Sequence, residues 1–216
     1  MKKQFSIFIL FLFSICVFAA SNKKQEKTDL IFQIEDETET KKSSNGPFGL
    51  KMGMTLNDIT KACGNSKPTH IENDAYYVYP VKTHPLFKYY IAYVDNTLGL
   101  YCIKAISDDI STNKYGTELK KAFSEIKERV SKTYGNPRII DHVDPSSIWR
   151  DESFWLHALD DGARTYAAIW ESNLKDDLVY VSISTSAVSY KEIGWITLEY
   201  HFSNKSDVED SQDDVF

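Results

Sequence analysis

Five histidines and three cysteines, with several paired acids, are the residues of this chain that could do chemistry. A zinc-binding helix would set two histidines four residues apart. His70, His84, His142, His157 and His201 include no such pair. His70-x-Glu72-x-Asp74 and Asp141-His142-x-Asp144 could each offer ligands, but both read as surface loops. His201 alternates onto the solvent side of the last strand. A cysteine nucleophile needs a neighbouring cation or a helix N-terminus to favour its thiolate. Cys63 instead ends a helix, where the macrodipole disfavours negative charge, and Cys102 falls in a packed strand. There is no G-x-S-x-G elbow, no P-loop and no G-x-G-x-x-G. Gly46-Pro47-Phe48-Gly49 lacks a preceding strand and a phosphate-facing lysine. Asp108-Asp109, Asp160-Asp161 and Asp176-Asp177 all fall at turns. The reading is therefore non-enzymatic, with no catalytic residue, metal or cofactor. A hydrolase would need several of the loop His and Asp residues to converge in one cleft.

The first residues speak to location. Lys2 and Lys3 precede an apolar run from Phe5 to Phe18, and Ala19-Ala20 follow. The run, at roughly 14 residues, is short of the ~20 needed to span a bilayer. Residues 1–20 thus read as a bacterial secretory signal peptide, delivering a periplasmic or secreted product with no membrane span after cleavage. Cys16 offers an alternative, lipidation to give an outer-membrane lipoprotein; Ile15 before it and Val17-Phe18 after it argue against that. Loss of residues 1–20 moves the formal charge from −6 to −8. An acidic chain without a basic cluster is a poor nucleic-acid binder. Cys63 and Cys102 then remain, and an oxidising compartment permits either one disulfide or two buried thiols.

These residues must be positioned by a modest set of elements. Residues 21–46 are a polar linker, broken by Leu30-Ile31-Phe32, and residues 206–216 read as an acidic disordered tail. Between them lie two units, 47–110 and 111–205. In the first, Thr55 fits a helix N-cap with Asp58 as its capping-box partner, and Gly64 supplies the C-terminal cap. Strands are expected at Tyr76 to Val81, Phe87 to Val94 and Leu100 to Ile106, the last two joined by the turn residues Asp95-Asn96-Thr97. In the second unit Leu119, Ala122, Phe123, Ile126 and Val130 form one helical stripe ended by Gly135. A short helix at Ser153 to Leu159 and strands at Arg164 to Glu171, Leu178 to Thr185 and Gly194 to Phe202 follow. Ile59-Thr60-Lys61-Ala62-Cys63-Gly64-Asn65 is echoed by Val130-Ser131-Lys132-Thr133-Tyr134-Gly135-Asn136 at the end of each main helix. The fold class is α+β: two pseudo-repeated units, each a helix or helix pair followed by a three-stranded antiparallel sheet.

The aromatic residues carry the functional reading. Seven tyrosines, from Tyr76 to Tyr101, crowd the first sheet, and neighbours on a strand face opposite ways. One face packs on the helix, so the other presents tyrosines to solvent, a composition enriched at protein interfaces. Cross-strand aromatic pairing produces the same composition. Tyr77, Tyr79, Tyr90 and Trp195 are the expected contact residues for a protein partner, whereas Trp155 and Trp170 are expected in the core.

Gly53-Met54-Thr55 opening a helix, with Gly64 closing it and Pro68 soon after, resembles the repeat of small outer-membrane lipoproteins of the SmpA/OmlA type. The tandem order of helix and three strands is similar to the β-lactamase-inhibitor-protein fold. The resemblance covers about 15 residues at motif level and otherwise only element order. It implies an envelope structural or assembly factor, as the alternative to a module that binds a partner through its aromatic sheet face.

Overall fold

The computed structural model describes residues 46–213, with side chains described as far as Asp210. The signal segment, Cys16 and most of the linker lie outside the described residues. Four α-helices and nine strands follow in the order α1 (Leu56–Ala62), β1 (Thr69–Glu72), β2 (Ala75–Val78), β3 (Phe87–Asp95), β4 (Gly99–Ser107), β5 (Ile110–Ser111), α2 (Thr117–Tyr134), β6 (Arg138–Val143), α3 (Trp155–Asp160), β7 (Arg164–Trp170), β8 (Leu178–Val188), β9 (Ile193–Phe202) and α4 (Lys205–Asp213). The α+β class holds.

Local grammar explains the helices. Thr55 Oγ1 accepts from the Asp58 amide at 3.3 Å while Asp58 Oδ2 accepts from the Thr55 amide at 3.2 Å, closing the capping box of α1. The stripe of α2 buries Leu119, Phe123, Ile126 and Val130. Gly116, at φ +68°, starts α2 where a Cβ would stand 2.3 Å from the Trp155 ring. Only glycine fits both that backbone and that contact.

All strand pairs are antiparallel, in the order β1-β2-β3-β4-β9-β8-β7-β6, with β5 also beside β9. The central seam is β4 with β9, registered from Cys102 opposite His201 to Ile106 opposite Thr197. The expected units therefore share one sheet. They also share one core: Ile59, Ala92, Ile103, Phe123, Trp155, Trp170, Ile183 and Leu198 belong to a single buried cluster. A helix on three strands buries little apolar surface by itself, and joining at the seam also removes two unpaired edges. α1, α2 and α3 contribute to this cluster on one face of the sheet.

Three expectations are corrected. The C-terminal stretch expected to be disordered is helical from Lys205 to Asp213, and it sits on the opposite face. Val208 is buried against Tyr101 and Cys102 there. Asn204 Nδ2 donates to the carbonyls of Leu98 at 3.1 Å and Leu100 at 3.2 Å, tethering the helix start. Second, His70 and Glu72, like Asp141-His142, lie in strand rather than loop: β1 pairs with β2, and β6 pairs along its whole length with β7. Third, Cys63 and Cys102 are free thiols. Cys63 closes α1 within the main core, whereas Cys102 faces Val208 across the sheet. The sheet itself separates them, so no disulfide can form without rebuilding it.

Among the described residues no helix is long and apolar enough to cross a membrane.

Candidate functional site

The open face of the sheet can be laid out from the register, because directly paired residues share a face. One row runs Tyr77, Ile91, Lys104, Glu199, Ser182, Ile169, Arg138. The row beside it runs Tyr89, Ile106, Thr197, Ser184, Ala167, Ile140. Aromatic and aliphatic side chains thus gather at the β2–β3 end. A charged patch occupies the seam, and small hydroxyl residues lie beyond it.

At the seam Glu199 accepts from Lys104 Nζ at 3.0 Å and lies 3.2 Å from His201 Nε2. His201 in turn stacks on Tyr180 at 4.9 Å, and Lys104 Nζ stands 5.6 Å from the Tyr93 ring centroid. The His201 hydrogen bond, with those of Lys104, outweighs burial and holds the Glu199 carboxyl down at about 2. Burial opposes the Lys104 charge, but its bond to Glu199 prevails and raises its pKa. His201 is therefore a packed hydrogen-bond partner of Glu199 rather than a solvated side chain. The network is satisfied internally.

The aromatic end holds a groove. Where the chain leaves β2 and returns to β3, a cavity of about 610 Å³ opens. Its base is Val78, Phe87 and Tyr90, all buried. Its rim is Tyr77, Tyr79 and Tyr89, which are 38%, 54% and 44% exposed, with Pro80 and Pro85 between. The Tyr77 and Tyr89 rings stand 6.4 Å apart, tilted by 49°. Lys88 at the rim is paired with Asp108 at 2.9 Å and lies over the Tyr89 ring. His84 closes one side. Its Nδ1 accepts the Leu86 amide at 3.2 Å, and burial, aided by the Arg129 charge, lowers its pKa.

The expected contact residues divide accordingly. Tyr77 and Tyr79 meet at the groove. Tyr90 does not reach solvent: it is 5% exposed, and its hydroxyl accepts the His84 amide at 3.0 Å. That expectation is corrected: Tyr90 shares the parity of Ala92 and Val94, which face the core. Tyr89 faces outward, and the irregular register between Phe87 and Tyr89 lets Phe87 be buried as well. Tyr89 is the residue that sequence reasoning missed. Its signal was the small apolar Ala92 and Val94, which mark the parity of Tyr90 as inward. Trp195 lies half-buried on the open face opposite Ser186, two strands away from β3 and outside the groove.

The histidine and acid motifs do not converge. His70 Nε2 lies 2.8 Å from the Asn73 carbonyl oxygen, and Asp74 accepts the Tyr101 hydroxyl. Asp141 pairs with the buried Arg164 at 2.6 Å, and Glu152 pairs with the same guanidinium. His157 stacks on Trp149 at 5.0 Å. Among the described residues no group of three or more His, Cys, Asp or Glu could hold a metal ion. Burial raises the pKa of Cys63 and takes Cys102 to about 12, so neither is a ready nucleophile.

No family model, curated protein or solved structure matches this chain.

Proposed function

We propose that the protein is an exported, non-enzymatic binding module of the bacterial cell envelope, which engages a protein partner through the aromatic end of its open sheet face. The signal-like first twenty residues support the location. The observation that carries the binding reading is the groove rimmed by Tyr77, Tyr79 and Tyr89, three half-exposed aromatic side chains around one apolar cavity. Such a cluster buries large rigid surface on docking at little conformational cost, as interface hot spots do. The satisfied Lys104–Glu199–His201 network beside it is a polar rim.

The test is affinity capture from an envelope extract with the wild-type protein and a Tyr77→Ala/Tyr79→Ala variant, read by mass spectrometry. A partner enriched by the wild type and lost with the variant is expected. Identical capture profiles would refute the docking reading.

A further inference from the structure

The groove lining carries a more specific message about what it accepts, given that the docking reading above holds. The groove is electrically neutral. Its ionisable lining groups besides tyrosine are Lys88, neutralised by Asp108, and His84, whose burial beside Arg129 favours the uncharged ring. Its polar side chains are hydroxyls and one imidazole, apart from the paired Lys88. No carboxylate or side-chain amide lines it. The Tyr77 and Tyr79 hydroxyls make no hydrogen bond to another described residue. Phenolic O–H groups donate well, so the rim offers donors above apolar rings. A complementary ligand is uncharged, apolar and rich in free carbonyl oxygens.

Three extended ligands can be compared on these terms. A β-strand adding to the sheet needs alternating backbone donors and acceptors along an edge. β1 already occupies the edge of β2 as far as Tyr77, and Pro80 just beyond has no N–H to give. A neutral oligosaccharide stacks on aromatic rings, but its adjacent hydroxyl pairs are best held by bidentate acids and amides, and the lining has neither. A polyproline II segment matches on every count. It has no internal hydrogen bonds, so its carbonyls are free; its prolines have no N–H to satisfy; and its rings are flat and apolar. The tilted Tyr77–Tyr89 pair and the neighbouring Tyr79 then form aromatic notches along the groove.

We propose that the groove binds an uncharged, proline-rich extended segment of the partner, with pyrrolidine rings against Tyr77, Tyr79 and Tyr89 and its carbonyls accepting from their hydroxyls.

The probe is a ten-residue oligoproline, N-acetylated and C-amidated, titrated into the ¹⁵N-labelled protein by NMR. A capped Gly-Ser decapeptide and cellotetraose serve as controls. The expected result is saturable shifts confined to amides of residues 77–91, with neither control binding. Tyr79→Ala should weaken binding at least tenfold, and Tyr77→Phe/Tyr79→Phe, which keeps the rings and the fold, about three- to tenfold. Trp195→Ala should leave it unchanged. Absence of saturable shifts with oligoproline, equal affinity in Tyr79→Ala, or tighter binding of cellotetraose would each overturn the proposal. If oligoproline fails while capture still depends on Tyr77 and Tyr79, the ligand class is wrong and the docking reading survives. If capture is insensitive as well, both fall.

Discussion

Cys102 is a chemical reporter of whether α4 is docked. In the folded chain its thiol lies beneath Val208, and burial, reinforced by Glu199, raises its pKa from 9.0 to about 12. At pH 8 that leaves roughly one thiolate in 10⁴, against about one in ten at the ordinary value. The thiolate is the reacting species, so the raised pKa cuts the reactive fraction by about 10³, about half of which on a log scale is offset by the greater nucleophilicity of the more basic thiolate. Ending the chain after Asn204 removes Val208 but keeps the amide that bonds Leu98 and Leu100. Glu199 and the sheet remain, so part of the suppression persists. The expected gain is therefore about tenfold in the rate with a chromogenic aromatic disulfide. Measured in a Cys16→Ser/Cys63→Ser background, the signal belongs to Cys102 alone. Val208→Asp, which keeps the full length, should give a similar acceleration, and circular dichroism checks that the sheet is intact. Equal rates in intact and shortened protein would refute the docked helix.

Gly116→Ala combines a left-handed φ with a Cβ 2.3 Å from the Trp155 ring, and should cost about 2–4 kcal/mol in urea unfolding. Gly135→Ala has nothing within 4 Å, so only its glycine-favouring backbone at φ +81°, ψ −160° is strained, and it should cost about 1–3 kcal/mol. The folded-state pKa of Glu199 is depressed to about 2, so its contribution is present above its ordinary 4.5 and is lost as pH falls from there toward 2. Discounted for partial exposure, that is about 1–2 kcal/mol, and Glu199→Gln should flatten this part of the acid limb in thermal melts between pH 5 and 2.5.

What the sequence disclosed depended on how many residues voted for each feature. The helix α2 was legible because four apolar side chains repeat at one spacing and a glycine ends them. The α1 capping box was legible because two residues suffice to write it. The helix α4 was not, since one apolar residue, Val208, anchors it among acids and its partner surface lies about a hundred residues upstream. The strand β6 was missed because its polar residues Arg138, Asp141 and His142 read as loop chemistry, and pairing with β7 settles it. Tyr90 was misplaced although its parity with the small apolar Ala92 and Val94 marks it as inward. The groove itself depends on the return of the chain from β2 to β3, so Tyr77 and Tyr79 were legible as exposed aromatics but not as lining one cavity with Tyr89.

The seam between β4 and β9 also sets a timetable. Ser107 Oγ accepts the Ile196 amide across 89 residues of chain, so the central contact of the sheet is among its most distant in sequence. Pairings of that kind close slowly, because the intervening loop must be ordered first. As the chain emerges from a ribosome or a translocation channel, β4 presents a bare edge until β9, the last strand, arrives. Any halt before residue 193 leaves that edge open for another chain to occupy. The waiting period, more than the finished fold, is where this protein needs protection from its own neighbours.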